Sequence, residues 1–298
     1  MSSIQHLQQR LAHKEIIIMD GAMGTEITQA GIATTLPLWS AEALSTHPEV
    51  VQKIHENYLR AGAEIIITNT FRTTRHTFAK LERAAQAQVA TLWACQLARQ
   101  AVEQVKPAYQ VYIAGSMAPL EDCYSPELTP DEVVLQREHL ALAQDLKAGG
   151  VDFLLLETMI TLRETLAAMQ AAHAVGLPFA VSFCTNEQGQ LLGGDSLSEV
   201  IPVVEQYEPL FVGVNCVAPT LATRTLRLLR DLTSLPLSAY AQGDGGPNPK
   251  EGWQFGTEHI LEHYLQHAYE WLQAGAQVIG GCCGTGPQYV EGLKRLVS

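Results

Sequence analysis

No run of apolar residues in the sequence approaches the roughly 20 needed to span a bilayer. The polar, helically patterned N-terminus, MSSIQHLQQRLAHKE, carries no apolar signal segment. These absences argue against a membrane partner and for a cytoplasmic protein. Basic residues are scarce: 19 Lys and Arg stand against 31 Asp and Glu, a formal net charge of −12, with no basic block and no Lys/Arg-rich helix. Nucleic acid and anionic membranes are poor partners for such a chain. Cysteine is too sparse for a disulfide framework in 298 residues: the six are Cys95, Cys123, Cys184, Cys216, Cys282 and Cys283. No linker divides the chain, which reads as one domain over residues 1–298.

What is present is a regular alternation. Short runs rich in Val, Ile and Leu predict strands at 16–20, 64–69, 111–116, 153–157, 179–184, 211–216, 236–241 and 277–282. Amphipathic stretches between and after them predict helices at 40–61, 77–105, 130–149, 161–175, 197–207, 221–232, 257–274 and 287–297. Continuously apolar strands imply burial on both faces, as in a parallel sheet covered by helices. Eight β–α units in this length predict a (β/α)8 TIM barrel, since such barrels run to about 250 residues as one domain; a doubly wound open sheet is the alternative. Gly62, Gly149 and Gly275, in Ala-Gly-Ala or Ala-Gly-Gly runs, are expected to end helices in the left-handed conformation. The polar, Gly/Pro-rich segment 242–253 follows the seventh strand and reads as a functional loop.

Barrel enzymes keep their chemistry at the C-terminal ends of the strands. Asp20, Asn69, Glu157, Asn215, Cys216, Cys282 and Cys283 fall at such ends. Alternation puts Ile16, Ile18 and Asp20 on one face, Phe153, Leu155 and Glu157 on another, and Val212, Val214 and Cys216 on a third. If these faces point inward, two carboxylates and a thiol meet at one mouth. Regular pleating would separate Cys282 from Cys283, but Gly280, Gly281, Gly284 and Gly286 allow the backbone to leave strand geometry there.

Three thiolates suit zinc, and three ligands leave the open position of a catalytic site. None of the ten histidines ends a predicted strand, which disfavours a His-based hydrolytic site. On spacing alone Cys216 also reads as a buried hydrophobe, and the vicinal pair as chance or as a redox-active disulfide. A phosphate-binding isomerase or aldolase barrel would account for the glycines after the eighth strand but not for the thiols. No lysine ends a predicted strand, Lys250 lying in the loop after the seventh. A non-catalytic zinc- or redox-sensing barrel is the non-enzyme reading. His259, His263 and His267 form a row on one helix face, and Arg224, Arg227 and Arg230 another; both read as solvated faces.

The runs GGCCGTGP (280–287), GVNC (213–216) and MDGAMGTE (19–26) resemble the homocysteine S-methyltransferase family. LPLWSAEAL (36–44), TNTF (68–71) and LLLET (154–158) extend the likeness over essentially the whole chain. The resemblance implies Cys216, Cys282 and Cys283 as ligands of a Zn2+ whose fourth position takes the homocysteine thiol. It implies Asp20 and Glu157 around the ammonium group, and Trp39 and Phe71 on the methyl-donor side. Asn215 would orient Cys216 or touch substrate. Many relatives carry an Asn-Ala-Gly-like segment after the seventh strand; here Ala241-Gln242-Gly243-Asp244 stands in its place, with Gln242 a candidate substrate contact. The implied reaction is methylation of L-homocysteine to methionine. LPLWSA resembles the sulfonium-using branch, so S-methylmethionine is the expected donor and S-adenosylmethionine the next. Betaine and a corrinoid protein remain alternatives. The expected partners are these small molecules, and a homo-oligomer stays open.

Overall fold

The computed structural model describes residues 2–243, 245–248, 252–254 and 261–297. The strands are β1 Ile17–Ile18, β2 Ile65–Ile67, β3 Tyr112–Met117, β4 Phe153–Met159, β5 Phe179–Phe183, β6 Val212–Asn215, β7 Leu237–Ala241, β8 Gly246–Asn248, β9 Gly252–Gln254 and β10 Ala276–Gly281. The helices are α1 Ser3–Ala12, α2 Met23–Gln29, α3 Ala43–Thr46, α4 Pro48–Ala61, α5 Arg75–Ala79, α6 Ala87–Val105, α7 Glu132–Ala148, α8 Leu162–Val175, α9 Leu197–Glu205, α10 Pro219–Leu232, α11 Leu261–Gln273 and α12 Pro287–Leu296.

Eight strands pair in parallel in the order β1-β10-β7-β6-β5-β4-β3-β2. A parallel bridge between Met19 and Ile65 joins the two ends. The result is the (β/α)8 barrel, not an open sheet. β8 and β9 form a separate antiparallel hairpin inside the polar loop after β7, where the sequence predicts no strand.

Two apolar layers follow from strand alternation. An inner cluster takes Ile17, Met19, Ile65, Tyr112, Phe153, Leu155, Phe211, Tyr240 and Val278. The larger cluster between barrel and helices takes Ile18, Ile66, Val212 and Val214. α1 adds Leu7 and Leu11 to the inner cluster and so closes one end of the barrel. His6 Nδ1 meets the Tyr112 hydroxyl at 2.7 Å, and Gln277 Nε2 donates to the Leu11 carbonyl at 2.8 Å. These contacts engage the N-terminal part of the strands, leaving the opposite mouth for chemistry.

The expected helix at 40–61 is divided into a 3-10 turn at Trp39–Glu42, α3 and α4. Pro48 lacks an amide hydrogen and starts a helix better than it continues one. The stretch 77–105 is likewise split into α5, a 3-10 turn at Ala84–Gln86 and α6. Gly62 and Gly275 have φ of 106° and 91°, but after α7 it is Gly150, at 72°, and not Gly149 that turns left-handed.

Candidate active site

The mouth of the barrel opens into a cavity of about 490 Å³. Cys216, Cys282, Cys283, Glu157, Trp39 and Phe71 all line it. Asp20, Asn215 and Gln242 do not.

Each thiol arrives by a departure from strand geometry. Val212 and Val214 face the helices, which corrects the expectation that they share an inward face with Cys216. Cys216 lies just past β6 with φ of 55°, and this left-handed step redirects its side chain. Cys282 and Cys283 follow the end of β10; the Cys282 amide still donates to the Ala241 carbonyl at 2.8 Å, then Gly284 turns at φ of 80°. The three sulfurs lie within 4.8 Å of one another, grouped as a metal site requires. Cys216 Sγ is 2.8 Å from Cys282 Sγ and 3.8 Å from Cys283 Sγ. Hydrogen bonding from Cys282 and Cys283 holds Cys216 well below the usual thiol range, and the same sharing pushes those two up. Metal binding at thiols displaces their protons, so a cation can take the place of the protons in this cluster.

Two loop residues brace Cys216. The Tyr124 hydroxyl donates to its sulfur at 3.4 Å. Gln242 Nε2 donates to the Tyr124 hydroxyl and to the Cys216 carbonyl, both at 2.9 Å. Gln242 is therefore turned to the protein rather than to the cavity, and Asp244 beside it lies outside the described residues. Tyr124, Cys123 and Arg72, which also line the cavity, escape the sequence reading because they come from loops after β2 and β3. Ser116 and Tyr240 were within its reach, standing near the ends of β3 and β7 in the inward alternation.

Glu157 and Asp20 stand differently. Glu157 lines the cavity and accepts from Ser116 Oγ at 2.5 Å. Burial pushes its carboxyl up to about 7. Asp20 is buried; one oxygen accepts from the Ile67 amide at 2.8 Å and the other has no partner among the described residues. Burial, and then the nearby Glu157, push it well above the ordinary carboxylate range. Ile18 faces the helices, so Asp20 does not continue an inward row as alternation suggested. Asn215 is fully buried and spends both ends of its amide on Thr158.

Trp39 and Phe71 meet edge to face, with ring centroids 6.2 Å apart. Asn69 holds the turn that carries Trp39: its Oδ1 accepts from Ser40 Oγ at 2.7 Å and its Nδ2 donates to the Ser40 carbonyl at 2.9 Å.

The surface rows remain apart from this site. His263 and His267 have ring nitrogens 3.2 Å apart, with no third ligand grouped with them among the described residues; His259 and Lys250 lie outside those residues. Arg224 pairs with Glu187 and Arg227 with Glu270 on the exposed face, while Arg230 donates to the Leu235 carbonyl. Among the described residues no helix is long and apolar enough to cross a membrane.

The sequence model of the homocysteine S-methyltransferase family matches residues 17–297. The chain is 32% identical to the homocysteine S-methyltransferase of Escherichia coli (strain K12), over 99% of both chains. Its structure is similar to the crystal structure of the homocysteine methyltransferase MmuM from Escherichia coli in the metallated form, with a TM-score of 0.85 at 27% identity over 99% of each chain. The oxidized form gives the same TM-score at 28% identity, over 97% of this chain and 99% of that one. A full-length match, the same barrel and three thiols gathered at its mouth agree: the chain is an enzyme of the homocysteine S-methyltransferase family.

Proposed function

We propose that residues 1–298 form one homocysteine-binding barrel that transfers a methyl group from a small sulfonium donor, S-methylmethionine, to the thiol of L-homocysteine, with zinc held by Cys216, Cys282 and Cys283. The convergence of these three sulfurs on a cavity that also holds Glu157 and the Trp39–Phe71 pair carries the reading. The donor set fits zinc. Cys216, Cys282 and Cys283, with sulfurs within 4.8 Å of one another, would hold it through three soft thiolates. Zinc bound there supplies the Lewis acidity that keeps a substrate thiol deprotonated at neutral pH.

The chain's own groups do the rest. Glu157 offers a carboxylate to the substrate ammonium from the cavity wall, and Asp20 stands behind it. Trp39 and Phe71 attract the cationic sulfonium to their ring faces. Asn215 and Gln242 keep their neighbours in place without touching substrate. The homocysteine sulfur bonds to the methyl carbon as the donor C–S bond breaks. The electron pair stays on the departing sulfur, which leaves as a neutral thioether. No general acid is required, and orientation of the two reactants supplies much of the rate, up to about 7–11 kcal/mol in such reactions. Six free cysteines suit a reducing compartment such as the cytoplasm.

The test is methionine formation by reduced, zinc-loaded protein offered homocysteine with S-methylmethionine, S-adenosylmethionine or betaine in turn, beside Cys283→Ala. Zinc-dependent turnover with S-methylmethionine, lost in the variant, is the expected result. Homocysteine binding without turnover by any small donor would transfer the reading to a separate methyl-carrying protein. Failure of the zinc-loaded protein to bind homocysteine would overturn it in favour of a sensing barrel.

A further inference from the structure

Among the described residues, Arg72 is a buried cation without a counter-ion. It lines the cavity and is 7% exposed. Its Nη1 donates to the Glu121 carbonyl at 2.6 Å, while its Nε is buried with no partner among the described residues. Among the described residues no carboxylate lies within ion-pair distance of it. The Glu121 carboxylate is taken by His76, at 2.7 Å, and by Lys80. Asp122 accepts from Ser125 Oγ at 2.6 Å. A desolvated guanidinium with an idle donor is costly unless something occupies the site.

Its surroundings identify the occupant. Arg72 is the only Lys, Arg or His among the described residues lining a cavity that also presents Glu157, Asp122 and the metal-site thiols. Among the described side chains, a ligand carboxylate finds a cation at Arg72 alone. The guanidinium carbon lies 5.3 Å from the Phe71 ring centre, which places the charge on the aromatic side of the cavity. The segment is tied down on both sides: Thr70 Oγ1 donates to the Ser116 carbonyl at 2.8 Å, and Thr91 Oγ1 to Thr73 Oγ1 at 2.8 Å. The donor is thus held where it stands before any ligand arrives.

We propose that Arg72 is a specificity-determining residue that binds the carboxylate of the methyl donor, so that the enzyme selects zwitterionic donors, those carrying an onium group and a carboxylate together, over simple onium cations. The inference rests on the donor-side assignment of Trp39 and Phe71 made above.

The experiment compares S-methylmethionine with its decarboxylated analogue, 3-aminopropyl-dimethylsulfonium, on wild type, Arg72→Gln and Arg72→Lys. Wild type should prefer S-methylmethionine in kcat/KM by about 10- to 100-fold, as expected for a charge-assisted hydrogen bond. Arg72→Gln should abolish that preference and leave the KM for homocysteine unchanged, while Arg72→Lys should retain part of it. A preference undiminished in Arg72→Gln overturns the proposal. So does a rise in homocysteine KM with donor preference intact, which would give Arg72 to the acceptor's carboxylate. If wild type turns over neither sulfonium, the donor reading above fails by itself. Calorimetric binding of the two sulfoniums, without homocysteine, then decides on Arg72: equal affinities for wild type overturn its role. Should Arg72→Gln fail to fold, Arg72→Lys and the wild-type comparison carry the test.

Discussion

Asn215 holds Thr158 through both ends of its amide: its Oδ1 accepts from the Thr158 backbone amide at 2.9 Å, and its Nδ2 donates to the Thr158 hydroxyl at 2.8 Å. The two residues lie on different strands, and both are fully buried. Thr158 has φ of 58° and follows Glu157; Asn215 precedes Cys216, with φ of 55°. One side chain therefore ties two left-handed steps together, and with them the carboxylate and a thiol of the three-cysteine cluster. Asn215→Ala should lower unfolding stability by about 2–4 kcal/mol, because it leaves the Thr158 amide buried and unpaired. It should also lower zinc affinity or kcat/KM by about 10- to 100-fold. Chemical denaturation and metal titration check both; unchanged zinc affinity and kcat/KM would confine Asn215 to a packing role.

The carboxyl of Glu157 sits near 7 because burial disfavours its charge, against the hydrogen bond from Ser116. Since the folded value lies above the unfolded one, its stabilising contribution is complete below about pH 4.5 and is lost as pH rises through about 7. Glu157→Gln should therefore be more stable than wild type at alkaline pH, with the difference vanishing in acid. Ammonium binding needs the ionised form, so kcat/KM for homocysteine should fall below about pH 7 in wild type, and that limb should be missing in the variant. A flat wild-type profile across neutrality would remove Glu157 from the ammonium site.

Gly24, on α2, lies against the indole of Trp39. A Cβ there would stand 2.6 Å from Trp39 Cζ2, and the rigid ring would have to move. Gly24→Ala should raise the KM for the methyl donor by up to about 100-fold, as small misplacements of a positioning group can do. Zinc content and homocysteine KM should stay the same. An unaltered donor KM would show that Trp39 packs the wall without contacting the donor.

His55 is fully buried on α4 with neither ring nitrogen paired among the described residues, and burial lowers it to about 4. Its contribution to stability is present above about pH 6.5 and is lost as pH falls toward about 4, to a limit of about 3 kcal/mol. His55→Leu should hold or raise stability at neutral pH, because an unpaired buried polar group is replaced by an apolar one. It should also lose less stability than wild type on acidification. Parallel denaturation at pH 7.5 and pH 5, conditions that bracket part of this window, would show equal acid sensitivity if the imidazole is solvated.

The order of strands and helices was legible in the chain because each barrel strand is short and apolar and each helix carries one apolar stripe. The breaks near Pro48 and Lys80 were not, since amphipathic periodicity runs across a turn without registering it. The short β8–β9 hairpin was hidden in a segment whose Gly and Pro content reads as loop. Glu157 was legible from alternation along β4, where Phe153 and Leu155 do face inward. The same reasoning gave the wrong facing for Ile18, Val212 and Val214, because alternation assigns two faces without saying which is inner.

Residue chemistry and spacing along the chain thus determined the barrel, the three thiols and the family, since these follow from local periodicity and from motifs that survive in one dimension. Only the tertiary structure decided how the mouth is furnished. The brace from Tyr124 and Gln242 on Cys216, the bond from Arg72 to the Glu121 carbonyl and the clasp of Asn215 on Thr158 all join residues distant in sequence, and packing decides the left-handed turn at Cys216. Hydrogen bonds and unpaired charges depend on distances in space, and a linear pattern carries no such distances.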